Sequence, residues 1–245
     1  LPITVLNVIV AETLNEIIDE ILLALKGDTS PSEKKFLEAS LPILQKYLKS
    51  SKDIRFSGDN YSEEWKKEAK KRGLPNIEKS FDAFSIFRKV KTMNAFNGVL
   101  EEAELLSRYD IIVDLYSGSV NIEANLMIEL FNTQILPAAM KYQRKFADSI
   151  RLTKELLETP LNDQVHRLHM LSSSIEACIQ VINHLENSRN RANSESLTTE
   201  ERGSFFCHDV SSICKEAKLT VDILEGLMDD KLWPLPKYRE LLFLV

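Results

Sequence analysis

Glycine is the first thing this sequence is short of, with seven in 245 residues. Tight β-turns and phosphate-cradling loops both consume glycine, so the shortage weighs against a β-rich fold and a Gly-rich nucleotide loop. Cysteine is scarce too. Cys178, Cys207 and Cys214 are an odd number set in helical sequence, which suits a reducing, cytoplasmic compartment. No apolar run approaches the ~18 residues of a membrane span, because Glu, Asp or Asn interrupts each one. No secretory signal accompanies the formal glycosylation triplet Asn60-Tyr61-Ser62, so it is read as chance. An excess of positive charge is missing as well. The net charge of −6 is the opposite of what a nucleic-acid binder shows. The sharpest basic run is Lys66, Lys67, Lys70, Lys71 and Arg72. Glu63, Glu64 and Glu68 stand three or four residues ahead of its members, and helical ion pairs absorb it.

Catalytic signatures are absent in the same way. There is no Gly-x-Ser-x-Gly elbow, Walker loop or dinucleotide fingerprint. Asp163, His166 and His169 could share a helix face. The Glu-x-x-His element of di-metal bundles does not occur, so these read as surface or satisfied core histidines. Cys207-His208 with Cys214 lacks a Cys-x-x-Cys knuckle and reads as buried structural cysteine, not zinc. Glu101, Glu102 and Glu104 open a helix, where the dipole favours acids without any catalytic role. Catalytic and metal-ligating residues are therefore expected to be none.

What the sequence does have is helix. The first runs from about Pro2 to Lys26 with Gly27 as its stop, and Ile3, Val5, Val8, Ile9 and Val10 make it apolar on several faces. Such a helix is normally buried in something larger, and the chain opens on Leu1 without a methionine, so the expectation is a cut or cleaved edge. Ser30-Pro31-Ser32-Glu33 opens a second helix toward Ser50, kinked at Pro42. Ile54-Arg55-Phe56 is the one convincing extended piece. Gly58-Asp59-Asn60 turns, and Ser62 caps a third helix that ends at Gly73. After the linker Leu74-Pro75-Asn76, Ser80 caps a short helix to about Lys91, and Asn97-Gly98 turns again.

The second half carries the cleaner pattern. A helix from Glu101 to about Tyr116 turns Ala103, Leu106, Ile111 or Ile112 and Leu115 inward. Another from Asn121 to about Leu157, bent at Pro137, places Leu126, Leu130, Ala139, Phe146, Ile150 and Leu157 on one side. Val165, Leu168, Ser172, Ile175, Ile179 and Ile182 recur at steps of three and four. Beyond a polar loop over residues 186–200, Phe206, Val210, Ile213, Ala217, Val221, Leu224 and Met228 do the same. Two long amphipathic helices joined this way make an antiparallel hairpin within a helical bundle. The tail from Leu232 to Phe243 is irregular at Trp233, Pro234 and Pro236, then presents Tyr238, Leu241, Leu242 and Phe243. Trp233, Tyr238, Leu241, Leu242 and Phe243 are the candidate docking residues, against either this chain or a neighbouring subunit.

Four stretches, taken together, carry a resemblance. They are Thr4 to Glu12; Phe56-Ser57-Gly58-Asp59-Asn60-Tyr61-Ser62-Glu63-Glu64-Trp65 through Asn76; Asn121-Ile122-Glu123-Ala124 with Gln134 to Ala138 and Tyr142-Gln143; and Leu232-Trp233-Pro234-Leu235-Pro236-Lys237-Tyr238-Arg239-Glu240. In this order the chain resembles the C-terminal portion of type III glutamine synthetases. The resemblance implies a mainly α piece of a larger α/β fold. It would be a long-helix antiparallel bundle with short helices and at most one or two short strands. Residues 1–118 would close the catalytic domain, and 119–245 would form a long-helix extension with a docking tail. It further implies ATP-dependent ligation of ammonia to glutamate, with Mg2+ or Mn2+, in cytosolic ring-shaped homo-oligomers. The family's metal ligands and its phosphate and glutamate arginines precede the segment matching Leu1, so none transfers to a residue here. The competing reading is a free-standing helical adaptor or oligomerisation module without catalysis.

Overall fold

The computed structural model describes residues 2–242, and of Pro2, Tyr238 and Arg239 the backbone alone. All its regular elements among the described residues are helical. The chain divides into two compact units, Leu1–Tyr109 and Asp110–Val245.

In the first unit α1 (Pro2–Ala24) ends where Lys26 and Gly27 turn left-handed, at φ of 53° and 79°. Glycine takes this conformation without a Cβ clash, which makes Gly27 an effective stop. The chain reverses into α2 (Glu33–Ser50), whose first turn is capped by the Ser32 side chain accepting from Lys35 N–H. Pro42 lies inside α2. Across the hairpin the Lys46 ammonium donates to Glu20 at 2.7 Å, and the Tyr47 hydroxyl donates to the same carboxylate at 3.0 Å. The extended piece expected at Ile54-Arg55-Phe56 does not become a strand. Lys52–Ile54 form a 3-10 turn and Arg55 follows in extended backbone, with no strand among the described residues to pair with. Ser62 caps α3 (Glu63–Lys71) through Trp65 N–H, and Phe56 rests on the Trp65 ring at a centroid distance of 4.7 Å. The Arg72 guanidinium closes the loop. It donates to the Asp53 and Arg55 carbonyls at 3.1 and 3.0 Å and pairs with Glu68 at 2.7 Å.

The single helix expected from Ser80 to Lys91 is broken into α4 (Ser80–Phe84), a 3-10 turn (Ser85–Arg88) and α5 (Val90–Ala95). Ser80 is the first helical residue, not the cap, because Lys79 holds the extended position before it. The breaks let both Phe87 and Phe96 turn inward, where they are buried.

The next two helices, expected to be separate, are continuous from Glu102 to Leu157. They comprise α6 (Glu102–Leu130), a π-helical segment Phe131–Ile135, and α7 (Leu136–Leu157). Ser117 and Ser119 satisfy their hydroxyls on the Val113 and Leu115 carbonyls four residues back, so neither competes for the helix backbone. Pro137 cannot donate and would crowd the carbonyl four residues before it. The wider π turn lies just upstream, where Leu136 N–H reaches the Phe131 carbonyl. The inward face of α6 is also corrected. Leu105, Tyr109, Val113, Val120, Ala124 and Ile128 are buried, whereas Ala103, Ile111, Leu115 and Leu126 are exposed. On α7, Ala139 and Ile150 are buried and Phe146 half-buried as expected, but Leu157 is exposed.

The second unit is an antiparallel three-helix bundle. Its helices are the long rod from α6 through α7, then α8 (Asn162–Ala192), then α9 (Thr199–Phe205) running through a π segment (Phe206–Val210) into α10 (Ser211–Leu227). Three contacts fix the direction of the rod against α8. Asn193 donates to Asn121 at 2.9 Å, Arg189 pairs with Asn125, and Gln143 donates to Ser172 at 2.8 Å. The Cys178 thiol reaches the Thr220 carbonyl of α10 at 3.6 Å, and Arg191 lies over the Phe205 ring of α9 at 5.7 Å. Phe206, Val210, Ile213, Ala217, Leu224 and Met228 are all buried, as their spacing foretold. On α8 the seam is Leu171, Ile175, Cys178, Ile182 and Leu185, shifted slightly from the expected row. The long polar loop is shorter than expected, because Leu185, Ser188 and Ala192 keep α8 against the core beyond residue 186. Thr198 and Glu201 then form a reciprocal capping box that opens α9.

Candidate functional site

Among the surfaces that stay apolar and exposed, two lie at the ends of the chain. The first is on α1. Val8 is its only described residue that is buried, while Ile3, Leu6, Val10, Leu14 and Leu23 are 75, 64, 57, 51 and 78% exposed. Large aliphatic groups in water cost roughly 1.5–3 kcal/mol each relative to burial. A run of them along one helix marks a surface that some other part of a protein covers.

The second is the C-terminal tail. Trp233 and Leu235 are half-buried against the bundle core, so the lead-in docks on its own chain. The Lys237 ammonium pairs with Asp230 at 2.5 Å and with Glu225 at 3.9 Å, and Lys237 N–H donates to Glu240, opening the short helix α11 (Tyr238–Leu242). Beneath the tail is a cleft of 320 Å³, walled by Met127, Phe131, Ile135, Ile182, Val221 and Trp233. Leu241 reaches this cleft yet stays 54% exposed, and Leu242 is 76% exposed. The Tyr238 side chain and Phe243 lie outside the described residues. At the rim Lys218 pairs with Asp222 at 2.6 Å. The walls are apolar and suit packing, and the charged groups lining the cleft are paired, Lys218 with Asp222 and Lys237 with Glu225 and Asp230.

The other residues singled out from the sequence take bland positions. Asp163, His166 and His169 are exposed near the start of α8 and do not gather into a metal-sized cluster. Cys207 is buried. Burial pushes the Cys178 thiol up to about 11, and the Cys214 thiol up to about 11 with help from the Glu123 carboxylate. Ion pairs hold Lys66, Lys71 and Arg72 of the basic run. Lys66 meets Glu63 at 2.7 Å and Glu78 at 3.5 Å, which raises its affinity for the proton, with the Glu63 hydrogen bond the largest cause. Glu68 is held below the usual carboxylate range, chiefly by Arg72. Sequence reasoning did not find the Lys237 clamp. Its signal is the acidic pair Asp229-Asp230, just beyond the end of α10 and seven residues before the lysine it meets.

Residues 39–154 match the family described as Glutamine synthetase C-terminal domain. The chain belongs to that glutamine synthetase family. It is 32% identical over 254 residues to a Type-3 glutamine synthetase of Dictyostelium discoideum, covering 99% of this chain and 33% of the relative. A glutamine synthetase of Bacteroides fragilis (strain YCH46) is 31% identical, covering 84% of this chain and 29% of its own length. A third, from Butyrivibrio fibrisolvens, is 27% identical over 82% of this chain and 29% of its own. The chain thus spans about a third of the length of the glutamine synthetases it matches. The family match runs from within α2 to within α7 and so takes in parts of both units. No helix among the described residues is long and apolar enough to cross a membrane.

Proposed function

We propose that this chain forms the C-terminal helical portion of an ATP-dependent glutamate–ammonia ligase. In that role it supplies scaffold and subunit contacts and no catalytic group. The observation that carries the reading is the length-wide similarity to a Type-3 glutamine synthetase three times as long. The exposed apolar face of α1 supports it, since a helix that packs on a catalytic sheet would look like this when seen without the sheet. Residues 1–118 would close the catalytic domain, and residues 119–245 would form the extension with its tail. Glutamate, ammonia, ATP and Mg2+ or Mn2+ would be bound by segments other than these. The Asp163, His166 and His169 trio would not hold the ion, because its members are exposed and do not gather into a cluster. A cytosolic setting suits three thiols without a disulfide, and ring-shaped self-assembly is the expected context for the tail residues Trp233, Tyr238, Leu241, Leu242 and Phe243.

The test is ATP-dependent conversion of glutamate and ammonia to glutamine by the full-length protein that carries this chain, assayed with Mg2+ and with Mn2+. Metal-dependent product with ADP release is the expected result. Absence of turnover with both metals, in a protein shown to be folded by circular dichroism, would leave the adaptor reading in its place.

A further inference from the structure

The long helix α6 has two apolar faces, and the bundle uses only one of them. On the opposite side Ile111, Leu115, Ile122 and Leu126 are 55, 65, 67 and 52% exposed. At 3.6 residues per turn these four point within about 30° of one direction, diametrically across the helix from Val113, Ala124 and Ile128. Gly118 and Ser119 sit at the middle of this outer face and offer almost no side-chain bulk. The arrangement is the same read in either direction. Ile111 and Leu126 are equidistant from the Gly118–Ser119 bond, and so are Leu115 and Ile122.

We infer that this face pairs with its own copy on a second chain, the two α6 helices running antiparallel about a two-fold axis at the Gly118–Ser119 bond. A surface that reads alike in both directions is what a two-fold contact requires, because one patch must complement itself. In that register Ile111 packs beside Leu126 of the other copy and Leu115 beside Ile122, while the small central residues let the two backbones approach closely. The charges just beyond the ladder complete the match. Arg108, one turn ahead of Ile111, falls opposite Glu129 of the second copy, so each end of the contact brings together opposite signs. From Arg108 to Glu129 the pairing runs for about 32 Å of helix. An apolar segment of another protein would need neither the reversal symmetry nor the end charges, and for that reason the occupant is a second copy of this chain. The inference deepens the subunit-contact role proposed above and assigns it to a different surface from the tail.

Cysteine cross-linking of the full-length protein tests it. Ser119→Cys places two thiols across the axis, and Ser173→Cys on the exposed side of α8 serves as the control. Under mild oxidation Ser119→Cys should form a covalent dimer at least tenfold faster than Ser173→Cys and than the unsubstituted protein. Because Leu115 is exposed, Leu115→Asp should leave the helical circular dichroism unchanged and abolish the cross-link. Glu129→Arg should slow it and Arg108→Glu in the same chain restore it. Equal cross-linking at positions 119 and 173 would overturn the pairing, as would a Leu115→Asp chain that cross-links as fast as its parent. Ligase activity recorded on the same samples keeps the two readings apart: active protein without the cross-link refutes the pairing alone.

Discussion

Truncating Phe206 to alanine is the sharpest stability test of the bundle. Phe206 has no exposed surface, sits in the π segment that joins α9 to α10, and carries the Arg202 guanidinium over its ring at 5.7 Å. Removing a fully buried phenylalanine costs about 3–5 kcal/mol where the surroundings cannot collapse, and two flanking helices held by the rod leave little room to collapse. The cation over the ring adds about 0.5–1 kcal/mol. The sum, near 4–5 kcal/mol, is a large part of a stability of about 5–15 kcal/mol. Phe206→Leu keeps most of the volume and should cost less than about 1.5 kcal/mol. The assay is urea unfolding followed by Trp233, which packs on this core, in a Trp65→Phe background that silences the only other tryptophan. The two units can unfold separately, so a probe confined to the bundle is needed. A loss below about 1 kcal/mol for Phe206→Ala would refute the packing described here, since that is a typical cost at an unremarkable position.

Four smaller tests follow from particular contacts. Thr198→Ala removes one half of the capping box and should cost about 1 kcal/mol by the same assay. Glu201 is held below its ordinary value of 4.5 by hydrogen bonds from Thr198, so its contribution is present above that pH and fades as pH falls through the lower folded value; Glu201→Gln should flatten this acid limb in a pH titration of stability. Arg72→Lys keeps the charge but not the fork that holds the Asp53 and Arg55 carbonyls, so hydrogen exchange at residues 53–57 should accelerate while α3 stays protected. Cys178 and Cys214, pushed up to about 11, should alkylate at least tenfold more slowly at pH 8 in the native protein than in urea; equal rates would contradict the burial of Cys178 and the partial burial of Cys214.

The bundle was largely legible in the sequence because Phe206, Val210, Ile213, Ala217, Leu224 and Met228 keep an unbroken helical spacing that outweighs the exposed Leu219 and Ile223. The rod misled for the opposite reason. Leu115 and Leu126 keep helical spacing as faithfully as Val113 and Ala124 do, and periodicity alone does not say which of two opposed faces meets the core. The break expected between Tyr116 and Asn121 does not open, because the back-bonded hydroxyls of Ser117 and Ser119 and tertiary packing carry the helix through it. Ile54-Arg55-Phe56 had strand composition but no neighbour to pair with, and pairing is what makes a strand. The surplus of apolar groups on α1 was readable directly, because no arrangement of so many aliphatic side chains on one helix can be buried by a single short partner such as α2.

That surplus also gives the most direct measurement of the central claim, which is that α1 belongs under the catalytic part of a ligase. With cysteine introduced at Leu14, which is 51% exposed here, the alkylation rate is compared between the 245-residue chain and the full-length protein, each normalised to Ser173→Cys. The account expects the thiol at position 14 to react at least tenfold more slowly in the full-length protein. Equal normalised rates in the two would show α1 facing water in both, and would contradict it.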